Sequence, residues 1–193
     1  PSISYSLHEG MNLISFPSPD SLGVSEAIPD IFESAVFSII GEGVATNHIG
    51  DNWFGSLTQF FGGKGYWFGT TEDMAFNFEN INLNRSSGFL NYQEYSNLTE
   101  YHQSSQQAFY FFEDIEGIEV GDIIEVYEDD TMVGYREWVG PYTDIPAMGD
   151  DNSEYTEGYC KEGSIPKFKL IKVDGDEYWL EGDIDSWKNN ELF

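Results

Sequence analysis

The stretch Ile49-Gly-Asp-Asn-Trp-Phe-Gly-Ser-Leu-Thr-Gln-Phe-Phe-Gly-Gly-Lys-Gly-Tyr-Trp-Phe68 decides how this chain is read. Aromatic residues recur through it, and glycines cut it at intervals. Trp53–Leu57 and Tyr66–Phe68 read as short extended runs joined around a glycine turn. No pair of side chains within it forms a nucleophile and its base, and none forms a transition-metal set. It predicts a compact β unit that presents a surface.

Working outward, Met11–Phe16 reads as a strand closed by Pro17 and Pro19. Val24, Ala27, Ile28, Ile31 and Phe32 keep helical spacing and predict a short helix with Pro29 in its first turn. Ala35–Ile40 is a strand, and Ala75–Phe78 closes the unit. These elements predict a small α+β domain over residues 1–80. Residues 81–107, rich in Asn, Ser, Gln and Tyr, read as a polar linker with one short strand at Gly88–Tyr92.

Residues 108–193 carry a β pattern. Ala108–Phe112, Asp122–Tyr127, Thr131–Val139, Pro166–Val173 and Glu177–Glu181 are rich in aromatic and β-branched residues. Asp129-Asp130 and Asp174-Gly175-Asp176 suit hairpin turns between them. The expected fold class is mainly β: a small α+β N-terminal domain followed by an acidic antiparallel β-sandwich.

Composition limits what such a chain does. Its 193 residues can bury a substantial core, and one cysteine, Cys160, permits no internal disulfide. The formal charge is -27, split as -8 over residues 1–88 and -19 over residues 89–193. That surface repels phosphate backbones and anionic membranes, so neither nucleic acid nor a membrane surface is an expected partner. Aromatics at 17% argue for a folded chain rather than an acidic tail. No stretch approaches the ~20 apolar residues of a membrane-spanning helix. Self-repulsion at this charge points to a salty or calcium-rich setting.

Asn12-Leu-Ile-Ser-Phe-Pro17, Ile40-Gly-Glu-Gly-Val-Ala45, Trp53-x-Gly-Ser-Leu57 and Gly63-Lys-Gly-Tyr-Trp67 together resemble a module of large secreted, cell-surface and virion proteins, many from marine bacteria and their phages. The second half resembles its usual companion through Gln107-Ala-Phe-Tyr-Phe111, Gly121-Asp122, Val133-Gly134, Trp138, Asp144-Ile-Pro-Ala-Met-Gly149, Thr156-x-Gly-Tyr159, Gly163, Pro166-x-Phe168 and Trp187-x-Asn-Asn190. The resemblance covers most of the chain. It implies an extracellular or cell-surface location, a structural or adhesive role, and no known catalytic residues.

The residues themselves offer little chemistry. Gly62-Gly-Lys-Gly65 lacks the spacing of a phosphate-binding loop and the Ser or Thr after the lysine, so it reads as a tight turn. Ser56 lacks both glycines of a nucleophile elbow. His8, His48 and His102 are scattered without helical partners, which argues against zinc. Cys160 sits among acids, where a thiol is disfavoured as a nucleophile, and reads as buried and inert. The many carboxylates show no context that singles out a hydrolase pair.

Calcium is the better use of those acids. Gly149-Asp-Asp-Asn-Ser-Glu154 presents hard oxygens in a flexible loop without EF-hand spacing. The candidate ligands are Asp150, Asp151, Asn152 and Glu154, with Asp174 and Asp176 at a second turn; Asp183-Ile-Asp185 is a third, weaker set. Trp53, Tyr66, Trp67, Trp138 and Tyr142 are candidate interface or ligand aromatics, against a reading in which they are core. Asn84-Arg-Ser86 and Asn97-Leu-Thr99 match the glycosylation sequon.

The sequence therefore predicts a non-enzymatic structural subunit or module of an extracellular assembly: a filament, a surface layer or a virion appendage. Copies of itself, meeting through aromatic surfaces and β edges, are the expected partners. The alternative is a calcium-dependent adhesin or a module that binds a surface glycan.

Overall fold

A computed structural model describes residues 3–81 and 101–193. The chain forms two compact units, residues 1–97 and 98–193, each with its own apolar core. Strand makes up 41% and helix 5% of the described residues, so the fold is mainly β, as the aromatic and β-branched runs predict. The short strand expected at Gly88–Tyr92 and both sequons lie outside the described residues.

In the first unit the strands are β1 (Tyr5–Leu7), β2 (Gly10–Ser15), β3 (Leu22–Gly23), β4 (Val36–Ile40), β5 (Ala45–Ile49), β6 (Asn52–Phe54), β7 (Gln59–Phe60), β8 (Gly65–Thr70) and β9 (Met74–Phe76). Five of them make an antiparallel sheet in the order β2-β8-β4-β5-β6. Two-stranded ribbons, β1–β9 and β3–β7, complete the unit. Alternation sets the faces. Ile14, Tyr66, Phe68 and Ile39 point inward to the core, while Leu13 and Trp67, paired in register, point outward.

The inward set is a cluster of rings. Phe60 stacks on Phe16 with centroids 5.3 Å apart, and meets Tyr66 edge-on at 4.9 Å and Phe78 at 5.4 Å. Each such contact adds to the burial of the ring itself. The glycines of the opening stretch let the backbone come close enough to build it. A Cβ at Gly62 would lie 2.5 Å from the Ser18 carbonyl oxygen, so only glycine fits that turn.

The expected helix is two single turns, α1 (Val24–Ala27) and α2 (Asp30–Glu33). Pro29 does not sit inside a helix. It is extended, with ψ 138°, and caps the second turn, because proline cannot donate the bond that would join the two. Ile31, which helical spacing pointed inward, is 79% exposed, whereas Phe32 packs on Phe76 at 5.4 Å.

In the second unit the strands are β10 (Gln107–Phe112), β11 (Ile123–Glu128), β12 (Thr131–Glu137), β13 (Thr143–Met148), β14 (Lys167–Ile171) and β15 (Glu177–Trp179). An antiparallel sheet in the order β12-β11-β14-β15 and the ribbon β10–β13 enclose one core. Both expected hairpins form: Asp129, at φ +50°, turns β11 into β12, and Gly175, at φ +95°, turns β14 into β15. Strand β13 escapes the sequence reading because Pro146 interrupts it. Its six residues are all buried, and Pro146 lies opposite Phe109 in the ribbon. The Pro146 carbonyl presses onto β12 at Gly134, where any Cβ would collide with it.

Trp187 locks the end of the unit. It is fully buried, its indole N–H donates to the Ala147 carbonyl at 2.9 Å, and a Cβ at Gly149 would lie 2.5 Å from its ring. The polar linker expected through residue 107 ends earlier. Tyr101 already packs edge-on against Tyr135 at 5.7 Å, and Ser104 donates to the Gly149 carbonyl at 2.6 Å.

Candidate functional site

The acidic loop after β13 is ordered by its own hydrogen bonds. Asp151 Oδ1 accepts from Thr156 Oγ1 at 2.8 Å and from the Ser153 amide at 3.1 Å. Its Oδ2 accepts from the Ser105 amide and hydroxyl, each at 3.2 Å. These donors, the Thr156 hydroxyl foremost, hold the Asp151 carboxyl well below the usual carboxylate range. Asp150 accepts from the Asn152 amide at 2.9 Å and pairs with Lys161 at 3.3 Å. Asn152 takes the left-handed turn at φ +67°, and Glu154 is exposed. At the second turn Asp174 accepts from the Asp176 amide at 3.3 Å, and Asp176 accepts from the Tyr178 hydroxyl at 3.3 Å. Among the described residues, no three His, Cys, Asp or Glu side chains converge as a metal-holding group.

The five candidate aromatics do not form one platform. Tyr66 and Trp138 are core residues. Trp53 is half-buried on the inner face of the five-stranded sheet, 4.7 Å from the His48 ring, and its N–H donates to Glu33 at 3.1 Å. Trp67 lies on the opposite, outer face of that sheet. Tyr142, in the second unit, takes φ +62°, and the Glu113 carboxylate beside it pushes its phenol up.

The remaining polar candidates are engaged structurally. Lys64 of the glycine-rich turn pairs with Glu42 at 3.2 Å. His8 meets its neighbour's carbonyl at 2.6 Å, and His102 lies 5.2 Å from the Tyr155 ring. Cys160 is buried, and burial together with the Glu128 carboxylate pushes its thiol up to about 12. Two buried carboxylates brace the second unit. Asp144 pairs with Arg136 at 3.2 Å. Asp122 pairs with Lys172 at 2.6 Å and accepts from the amides of Glu119 and Val173. Burial pushes the Asp122 carboxyl up, but Lys172 and the two amides outweigh it and hold it below its ordinary value.

Two outward surfaces stand apart from these braces. The outer face of the five-stranded sheet carries Met11, Leu13, Trp67 and Phe37, with Ser15, Gly65, Asn47, Ile49, Asn52 and Phe54 in the same alternation; Ile40, Ser38, Ala45 and Gly69 share it but are buried. Phe37 is the extra residue of a bulge; a Cβ at Gly69 would meet both its ring and Ser38 Oγ, which puts the ring on this face. Leu13 is 59% and Phe37 42% exposed. None of these positions bears a charge, in a chain whose residues are 22% charged.

The outer face of the four-stranded sheet is built differently. Glu125, Tyr127, Tyr135, Lys169, Glu177 and Trp179 share it, opposite the core residues Val126, Phe168 and Leu170. Trp179 on edge strand β15 is 56% exposed. The Tyr127 ring meets it at 66° with centroids 5.4 Å apart. The Lys169 ammonium lies 5.8 Å from the Trp179 ring centre and 5.9 Å from that of Tyr127. It contacts Glu177 at 2.6 Å and Glu125 at 3.9 Å, and Tyr127 donates to Glu125 at 2.8 Å. The sequence reading passed over these residues. The signal for them is period two: Glu125 and Tyr127, Lys167 and Lys169, Glu177 and Trp179 each sit two apart in strands that it did recognise.

Compared with protein-family models, with curated proteins and with solved structures, the chain matches none.

Proposed function

We propose that this chain is a non-enzymatic structural module of an extracellular assembly, whether filament, surface layer or virion appendage, and that copies of it associate through the outer face of the five-stranded sheet. The observation that carries this reading is the uncharged character of that face. Leu13 and Phe37 supply exposed apolar area beside the half-buried Trp67, and charged side chains are missing from every strand position around them. Interface centres are depleted of charge in the same way, and contiguous exposed apolar patches mark contact sites. A second copy is the occupant that fits. Two molecules of charge -27 approach at least cost where neither presents a carboxylate. Added salt screens the remaining repulsion, with a screening length of roughly 10 Å at 0.1 M.

Sedimentation velocity tests the reading. The expected result is a monomer at low salt and low concentration that shifts to larger species at seawater-like salt. Leu13→Glu, at an exposed position, keeps the fold and holds the protein monomeric under both conditions. A wild-type chain that stays monomeric at high salt and high concentration contradicts the proposal. Electron micrographs of the associated material then distinguish a filament from a layer.

A further inference from the structure

We infer that the outer face of the four-stranded sheet is a binding site for a neutral sugar ring, seated on Trp179 and hydrogen-bonded by Lys169, Glu125 and Glu177. The inference goes beyond self-association and does not rest on it, because its residues all belong to the other unit. Trp179 offers an apolar ring that is more than half exposed, on a strand whose three residues are all exposed. Surface rings of this size usually find a partner or are tucked down. This one is held upright by Tyr127, which is itself fixed through its hydroxyl to Glu125. The two rings form a corner, and three charged groups rim it in one connected network.

The chemistry of that corner selects its ligand. Anionic ligands face Glu125 and Glu177 directly, with Asp174, Asp176 and Glu181 on the adjoining chain, so phosphates and acidic polysaccharides are repelled. A cationic ligand would compete for a place over the rings that Lys169 already holds. An apolar peptide would have to cover the Lys169–Glu177 pair and strip it of water with nothing in return. A pyranose avoids all three penalties. Its C–H face lies against the indole. Its hydroxyls donate to the carboxylates of Glu125 and Glu177 and accept from the Lys169 ammonium, in charge-assisted bonds that replace those to water. The pre-formed network limits the entropy lost on binding.

The test titrates the intact chain with neutral hexasaccharides of the glucan, mannan and galactan series, followed by indole fluorescence and calorimetry. Alginate oligosaccharides serve as the acidic control. The expected result is saturable binding of at least one neutral series with a millimolar or tighter constant, and none of alginate. Trp179→Ala should weaken that binding by about tenfold or more. Trp179→Phe should recover part of the loss, and Lys169→Met should weaken binding without altering the far-ultraviolet spectrum. Leu13→Glu, on the other unit, should bind as wild type does. Trp179→Ala removes a mostly exposed side chain; if it nonetheless unfolds, Lys169→Met and Trp179→Phe carry the test. Absence of saturation with all three neutral series overturns the inference. So does preference for alginate, or undiminished binding when Trp179 and Lys169 are both replaced.

Discussion

The two sheets bury the same kind of face and turn outward opposite ones. Inward, both present aromatic and branched side chains on alternate residues. Outward, the five-stranded sheet shows Leu13, Phe37 and Trp67 with no charge among them, whereas the four-stranded sheet sets each aromatic beside a lysine or a carboxylate. Folding constrains the inward set most, because that set loses its water when the core forms. The outward set is free to be chosen for what it meets. An uncharged face can be covered by another protein at little electrostatic cost. A face laced with ion pairs resists such covering and suits a ligand that brings its own hydrogen bonds.

This contrast can be attacked at several depths. The deepest cut is Trp187→Ala, which removes a fully buried indole and strands the Ala147 carbonyl. It should cost about 3–5 kcal/mol of the second unit's stability in urea unfolding. The Trp179 site should go with it, while the Leu13 face, on a separate core, continues to associate.

Acid should separate the units next. Asp122 and Asp151 both belong to the second unit and both titrate below their ordinary values when folded. For a depressed carboxyl, the stabilisation is complete above the unfolded value, ~3.9, and is lost as pH falls through the folded one. The first unit buries only neutral polar side chains among its described residues, namely Asn12, Ser18, Ser38, Thr46 and Thr70. Melting curves taken downward from pH 5 should therefore show the second unit failing first. Asp122→Asn should lower its melting temperature at pH 7, and that deficit should shrink below pH 4. Equal acid sensitivity of the two units would count against this account. Asp151→Ala should also weaken the second unit in urea unfolding, because it strands the Ser105, Ser153 and Thr156 donors.

The smallest effect sharpens the comparison most. Leu13→Glu should change monomer stability by no more than about 0.5 kcal/mol, since an exposed side chain contributes little to the core. A large loss would mean that the outer face is structural rather than a contact surface.

Much of this was legible in the sequence, for reasons that particular residues make plain. Tyr66 to Phe68 and Ala108 to Phe112 are dense enough in aromatic residues, and Lys167 to Ile171 alternates clearly enough, to declare strands, and Asp129 and Gly175 declare their turns. Strand β13 was hidden because Pro146 forbids a ladder donor, yet a close approach at Gly134 makes room for it. Strand β5 was hidden because Ala45-Thr-Asn-His-Ile49 carries little strand propensity and is held by its neighbours instead. The separation of Trp53 from Trp67 onto opposite faces depends on register across β4 and β5, which no local pattern encodes. The partners of Asp150 and Asp151 were not legible, because the contacts back to Ser105 and across to Lys161 join residues far apart in the chain.

The one cysteine has a practical consequence. Cys160 is sealed in the core with a thiol pushed up to about 12, so thiol reagents at neutral pH find no thiolate there. Any cysteine introduced at an exposed site, such as Ser15 beside the uncharged face or Asp130 at the β11–β12 turn, becomes the sole reactive handle on the chain. A dye or spin label placed there would report on one chosen face, in wild-type background, without first removing the native residue.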